Sequence, residues 1–464
     1  MNTHSKTIVG LICTMSPELH DVWGEAVRGP SRVQFAQARA TLESFGVRVI
    51  DPGDFTTSYQ QALEHGRMLR SQGIHVLVVY VARWAYGTSI VAAALEVGVS
   101  VVVWTGTDVT QVGIVGASVV RGSLDEAGIP NSLVYGDFDD PVALKELEVR
   151  CLGAAAGFRL RGQSYGLMGS RSLGMLTAVV DANQWRRQFG VEVESWDQLE
   201  VIEKARALPD SAVDHHLAWS QDGFGSIQVN EAVLRAAVKM YVSSKEIIAR
   251  RGFDFVSVRC LPETPETFTT FCYAIALLND TSDADGEKDA ICCACESDSN
   301  GALTMQILKH LGGAPVMFGD VRNIKLVEGE LWISNCGSQA TTLAKSRKEV
   351  HWVSHGFQEF RWTIGGAAPQ AVNKPGRVTL ARITRQAGEH VMLIAGGECM
   401  DVPHEKLKET YWEFSPHAFV KLDADPRALA RELRSNHLSL AYGDYVPHLQ
   451  ETCRVLGIRP IVVA

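Results

Sequence analysis

The chain is 464 residues long, too long for one ordinary core at roughly 100–200 residues per domain, and its 46% hydrophobic content is ample for burial. A net charge of −9 and a pI near 5.9, with no Lys/Arg-rich block, argue against a nucleic-acid surface, which needs a concentrated basic patch, and favour a small-molecule partner. No stretch of about 18 apolar residues is present to cross a bilayer, and the N-terminal apolar run is broken at Ser16, Pro17 and Glu18, so the sequence predicts a soluble cytoplasmic protein.

Residues 1–161 alternate short β-branched runs (TIVGLI, VRVID, HVLVVYV, VSVVVW) with amphipathic stretches such as SRVQFAQARATLESFG. That alternation predicts βαβ units on a parallel sheet. Gly46 and Gly98 fall where helical patterns end, as left-handed caps do. Residues 162–313 repeat the pattern: strand-like SYGLM, a loop and a helix start in GSRSLGM, the helix EAVLRAAVKMYVSSKEIIARRG, then FDFVSVRC, TFTTFCYAIALL, AICCACE and GALTMQILKHLGG. From 314 to 464 the texture changes to short strands and turns, PVMFGD, ELWISN, RVTLARITR and HVMLIAGG, which predict an antiparallel sheet or barrel. The fold class expected is therefore α/β, two doubly wound parallel-sheet (Rossmann-like) domains followed by a β-rich, barrel-like C-terminal domain. His437 is expected to open a loop between the helices DPRALARELRS and DYVPHLQETCRVLG.

Most motif-like features have a plain structural explanation. The ten cysteines are scattered rather than dense, and Cys292 and Cys295 form a CxxC inside an apolar run with no second pair, so they read as buried strand thiols. DTSDADGEKD, residues 280–289, resembles a calcium loop but lacks the EF-hand spacing, and reads as a solvated turn. Gly169 and Gly174 in MGSRSLGM could cradle a phosphate or sugar oxygens at a helix start, but neither GxGxxG nor GxxxxGK[ST] is present. GxSxG and HExxH are also absent, which removes the usual marks of serine hydrolases and zincins.

Three residues are harder to dismiss. Glu296 follows directly on AICCAC, where an ionised carboxylate is partly buried and needs a partner or a metal. Asp320 ends the apolar run PVMFG, with Arg322 two residues on as an ordinary ion-pair partner, and His437 sits in RSNHLSLAYGDY. Two carboxylates at apolar-run ends and one imidazole make a donor set for a hard divalent cation, and the carboxyl ends of parallel strands are where ligands collect. Trp84 and Tyr86, in the loop after HVLVVYV, are placed to stack on the apolar face of a sugar or simply to pack the loop.

YGLMGSRSLGM, VEVESWDQLE, ACESDSNGALTMQIL, FGDVR, SNCGSQA, GRVTLARI and SNHLSLAYGD occur in the order found in the L-fucose/L-arabinose isomerase superfamily, and the chain most resembles its L-fucose isomerase-like branch. The resemblance implies a Mn²⁺-like ion held by Glu296, Asp320 and His437, other divalent cations being possible. It implies aldose–ketose interconversion through a cis-enediolate, with Glu296 and Asp320 also acting as the acid/base pair. It further implies that Trp84 stacks on the sugar, with Tyr86 beside it in the WxYG segment, that Asn436 touches a hydroxyl, and that Ser172 and Leu173 line the pocket. A homo-oligomer, a hexamer with sites between subunits, is implied as well.

Two features depart from that pattern. Where L-fucose isomerases carry an arginine-containing RP motif, this chain reads GLICTMSPELHDVW, and the C-terminal part is shorter. Fucose, arabinose, another pentose or an anionic hexose derivative all stay open as the sugar. His351 and His355 in HWVSHGF could add a polar contact or serve as structural histidines. A non-catalytic sugar-binding or regulatory protein, or another enediolate-type enzyme such as an epimerase or aldolase, are the alternatives.

Overall fold

The computed structural model describes residues 7–337, 339–354 and 365–463; His355 lies outside them. The chain forms two compact units, Met1–Arg159 with Pro447–Gly457, and Leu160–Val446 with Ile458–Ala464.

The first unit is built on five strands: β1 (Ile8–Thr14), β2 (Arg48–Ile50), β3 (Val76–Val81), β4 (Val101–Thr105) and β5 (Asn131–Tyr135). They pair in the order β2-β1-β3-β4-β5, all parallel. This is the doubly wound order in which ligands sit at the carboxyl edge. The strand residues of β3 and β4 are buried throughout, as expected of strands covered on both faces. Gly98 ends the helix Gly87–Val97 at φ 71°, the left-handed cap its sequence position implied. Near the C-terminus the chain returns to this unit: the Thr452 hydroxyl donates to the Gly153 carbonyl (2.8 Å) and Arg150 pairs with Glu451 (2.8 Å). A Cβ at Gly153 would lie 2.6 Å from the His448 carbonyl oxygen, so this approach requires glycine.

The second unit holds a four-stranded parallel sheet and a barrel. The sheet comprises β6 (Ser164–Met168), β7 (Glu192–Trp196), β8 (Phe255–Val258) and β9 (Cys292–Ala294), in the order β9-β8-β6-β7. The barrel comprises β10 (Met317–Lys325), β11 (Glu330–Ser334), β12 (Gly376–Gln386), β13 (Glu389–Cys399), β14 (His417–Leu422) and β15 (His437–Tyr442). These run β12-β15-β10-β11-β14-β13, antiparallel, and β12 pairs with β13 along eleven residues to close the ring. β16 (Arg459–Val463) adds to β13 in parallel. Closure leaves no barrel edge exposed between β12 and β13.

Between sheet and barrel runs the helix Ser299–Gly312, buried on nearly every face. A surface helix would have a polar stripe; this one has packing on both sides instead. Its first turn approaches the barrel closely. A Cβ at Gly301 would stand 2.5 Å from the Phe318 ring of β10, and the Ile383 amide of β12 donates to Thr304 Oγ1 (3.0 Å). Two local expectations are corrected. His437 opens strand β15 rather than a loop, because its backbone lies in register with Asp320 of β10. The helix start expected in GSRSLGM is only a 3₁₀ turn, Leu176–Ala178.

Candidate active site

The two strands of the barrel and one turn of the sheet bring the trio together. β9 stops at Ala294, and Glu296 (φ 60°) and Ser297 (φ 53°) both take left-handed backbone, which non-glycine residues rarely adopt. Strained residues of this kind persist only where surroundings hold them. Here the Ser297 amide donates to the Val258 carbonyl (2.9 Å) and its hydroxyl to the Met168 carbonyl (3.2 Å), pinning the turn to the ends of β8 and β6. Asp298 then caps the helix Ser299–Gly312, accepting from the Gly301 amide (2.9 Å).

Asp320 and His437 face each other across the antiparallel pair β10–β15. Register alone therefore makes them neighbours. His437 is fully buried; Glu296 and Asp320 are buried but for 8% and 9% of their surface. Around the imidazole, Nε2 has Glu296 Oε2 at 3.4 Å and Asp320 Oδ1 at 3.5 Å, while Nδ1 meets Asp298 Oδ2 at 2.7 Å. The Nε2 contacts are ion-pair contacts without hydrogen-bond geometry, and that nitrogen has no hydrogen-bond partner. Asp320 is held from two sides: Asn436 Nδ2 donates to Oδ1 (2.8 Å) and Arg322 Nη2 pairs with Oδ2 (2.9 Å). Arg322 is steadied in turn by Ser334 Oγ (3.0 Å) and by Trp412, whose ring centre lies 3.7 Å from the guanidinium carbon.

Electrostatics separate the carboxylates. Burial raises the proton affinity of Glu296, only partly offset by His437, and the charge of Asp320 adds to the rise. Burial also acts against a charged Asp298, but Arg382 and His437 overcome it and hold that carboxyl well below its usual range. For His437, burial is outweighed by Asp298, Glu296 and Asp320, and its pKa is pushed up to about 10. A buried imidazole nitrogen left unbonded beside two carboxylate oxygens is the donor set that a divalent cation completes, and the residues fit one.

Ser172 and Leu173 lie on the loop that leaves the carboxyl end of β6, the same edge that carries Glu296. Ser172 is buried with its hydroxyl unbonded, whereas Leu173 is exposed, in left-handed backbone at φ 48°. Further along, the Thr177 carbonyl accepts from Asn300 (2.7 Å) and Arg382 (3.3 Å), which ties the segment to the site's supports. Trp84 and Tyr86 belong to the first unit, at the carboxyl end of β3, with 37% and 38% of their surfaces exposed. There the Trp84 carbonyl accepts from the Ser16 amide (2.7 Å) and the Tyr86 hydroxyl donates to Glu18 (2.7 Å). His351 bonds Ser226 (2.9 Å) and stacks edge-on with His404, as a structural histidine does.

Other clusters have internal explanations. All ten cysteines are buried thiols outside any disulfide; burial pushes Cys292 up to about 11. In the 280–289 segment, Asp283 and Asp285 approach His216, with ligand atoms within 4.8 Å of one another. Lys245 already pairs with both (2.6 and 2.7 Å) and the Tyr241 hydroxyl donates to Asp283. The segment is an ion-paired hairpin, less solvated than expected, since Asp280 is buried and accepts from the Thr341 amide (2.8 Å).

Sequence reasoning named Arg322 as the partner of Asp320, which the structure bears out, but overlooked the other supports of the trio: Asp298, Arg382 and Trp412. A signal existed for two of them. Asp298 is a helix-capping residue two positions after Glu296, and Arg382 interrupts the apolar strand VTLARIT.

Comparison with known proteins agrees with this architecture. Residues 36–148 match the first N-terminal domain of L-fucose isomerase and residues 333–463 match its C-terminal domain. A sulfoquinovose isomerase from Alkalicoccus urumqiensis is 22% identical over 393 residues, 82% of this chain and 84% of that protein. One from Priestia aryabhattai is 21% identical over 422 residues, 88% of this chain and 90% of that one. An L-fucose isomerase from Salmonella heidelberg is 23% identical over 337 residues, covering 65% of this chain but only 56% of the Salmonella protein.

Proposed function

From the premise that the chain belongs to the L-fucose isomerase-like branch of the L-fucose/L-arabinose isomerase superfamily, we propose that it interconverts an aldose and a ketose by proton transfer between C1 and C2 of the open-chain sugar. The observation that carries this reading is His437 Nε2, buried and unbonded, facing Glu296 Oε2 and Asp320 Oδ1. Glu296, Asp320 and His437 would hold the divalent ion, Mn²⁺ first among candidates, and a bound ion there supplies positive charge against the sugar oxygens as a cis-enediolate develops.

The protein's own groups do the remaining work. Glu296, whose proton affinity burial raises, is suited to take a proton from one carbon and return it to the other. Asp320 is fixed by Arg322 and Asn436 and so keeps its orientation through the exchange. Burial of all three side chains excludes water from the intermediate. Asn436, bonded to Asp320, would accept from or donate to a sugar hydroxyl, with Ser172, Leu173, Trp84 and Tyr86 as the further contacts that the family resemblance implies. The same reading takes the protein to be a cytoplasmic homo-hexamer, which light scattering on the purified protein would check.

For the substrate, an anionic hexose such as sulfoquinovose is the first choice. The sulfoquinovose isomerases from Alkalicoccus urumqiensis and Priestia aryabhattai align over most of both chains, while this chain covers only 56% of the L-fucose isomerase from Salmonella heidelberg and lacks the RP motif that the family resemblance ties to fucose. The test is to incubate metal-loaded protein with sulfoquinovose, L-fucose and L-arabinose in deuterated water. Interconversion with deuterium entering the product is expected for one of them. Sugar-induced thermal stabilisation without interconversion of any would make this a binding protein and end the reading.

A further inference from the structure

We infer that Asp298, locked by Arg382, is the positioning residue of the metal site: it fixes the tautomer and the aim of His437 and joins the turn carrying Glu296 to the barrel strand carrying His437. The inference rests on the metal-site reading above and concerns residues that touch neither sugar nor ion. Asp298 is wholly buried, and each of its carboxylate oxygens is held twice. Oδ2 meets His437 Nδ1 (2.7 Å) and Arg382 Nη1 (2.6 Å); Oδ1 accepts from Arg382 Nη2 (3.0 Å) and the Gly301 amide (2.9 Å). With both oxygens so occupied, Asp298 has no lone pair directed at the cluster of Glu296 and Asp320. It acts through the imidazole instead.

The geometry explains three things together. An imidazole whose Nδ1–H is bonded to a carboxylate has Nε2 as its free donor, and Nε2 is the atom facing Glu296 and Asp320. Arg382 is itself 98% buried on β12, where a lone guanidinium would be costly; its two bonds to Asp298 leave the pair neutral, so that the carboxylate stays ionised and oriented. Finally, Asp298 stands two residues after Glu296 and caps the helix Ser299–Gly312, so the bond to His437 sets the distance between the sheet turn and β15. A shift of the turn would move Glu296 and His437 apart, and this bond resists it.

The experiment measures Mn²⁺ binding by the paramagnetic resonance signal of the free ion, on full-length protein stripped with chelator, alongside thermal unfolding in chelator. Wild type comes first: absence of a Mn²⁺ site that Glu296→Gln removes would overturn the metal reading itself. With that site present, Asp298→Asn should bind Mn²⁺ about 10–100-fold more weakly, the usual effect of losing the group that orients a ligating histidine. Because the single change strands the Arg382 charge, the double variant Asp298→Asn/Arg382→Met removes carboxylate and cation together and should show the same weakened binding in a protein that folds. Binding within about twofold of wild type in either variant, whatever its unfolding temperature, would overturn the inference and leave the pair a purely structural tie.

Discussion

Two acid–histidine clusters among the described residues of the second unit differ in which cations pair with their carboxylates. In His216–Asp283–Asp285 the ligand atoms crowd within 4.8 Å, and the imidazole Nε2 makes no hydrogen bond. By proximity alone it would be the better metal site. Yet Lys245 reaches both aspartates and Tyr241 bonds one of them, so each carboxylate already has a cationic partner. Around Glu296, Asp320 and His437 the only arginine contact goes to Asp320, and Glu296 has no lysine or arginine partner among the described residues. On the function proposed above, the cation goes to the cluster whose buried carboxylate lacks a lysine or arginine partner and not to the one with the closest ligand atoms.

The largest expected effects break this comparison at its centre. Glu296→Gln keeps the shape of the side chain and removes its ability to carry a proton, so turnover should fall by about 10²–10⁴-fold with folding intact, read by deuterium incorporation and circular dichroism. Normal turnover in that variant would end the proposed role of Glu296. Next, His437→Ala should abolish Mn²⁺ binding while His216→Ala leaves it within the error of the titration. The opposite pattern would transfer the metal to the ion-paired hairpin.

A smaller effect sharpens the other half. Lys245→Met leaves Asp283, only 1% exposed, without its cation, and should cost about 1–3 kcal/mol in urea unfolding, with activity per folded molecule unchanged. An unaltered midpoint would mean that the Lys245 pairs do not hold that cluster, and the contrast with the Glu296 site would lose its basis.

Much of this arrangement was legible in the sequence because it follows from pattern. β-Branched runs between helical stretches gave the two parallel sheets, and the period-two run RVTLARITR gave a barrel strand. Glu296 was conspicuous for the same reason: a charge directly after AICCAC has no ordinary place. What pattern does not encode is register. Asp320 and His437 are 117 positions apart by subtraction, and only the pairing of β10 with β15 makes them face each other. His437 therefore looked like the start of a loop. Asp298 went unnoticed because a capping aspartate is ordinary in sequence; its second task, holding His437 and Arg382, exists only once sheet and barrel have closed on the helix between them. The placement of Trp84 and Tyr86 rested on resemblance, since exposed aromatics in a loop carry no such constraint.

A pH-dependent effect concerns histidines that burial keeps neutral, outside the trio. Burial pushes His75, His390 and His417 down to about 4. Each is neutral in the folded protein and, at an unfolded value near 6.5, gains a proton on unfolding once the pH falls. The unfolded chain then binds more protons, so stability rises with pH across this window: it is complete above about 6.5, declines as pH falls towards 4, and declines no further on their account below that. At its steepest the loss is about 1.4 kcal/mol per pH unit for each fully buried histidine. His417, 1% exposed and bonded through Nδ1 to the Ser415 carbonyl (2.8 Å), offers the cleanest check. His417→Gln can keep a bond to that carbonyl without titrating. It should flatten the fall in unfolding free energy between pH 6.5 and 4 while leaving Mn²⁺ affinity at pH 7.5 unchanged. An identical slope in the variant would show that His417 does not stay neutral when folded.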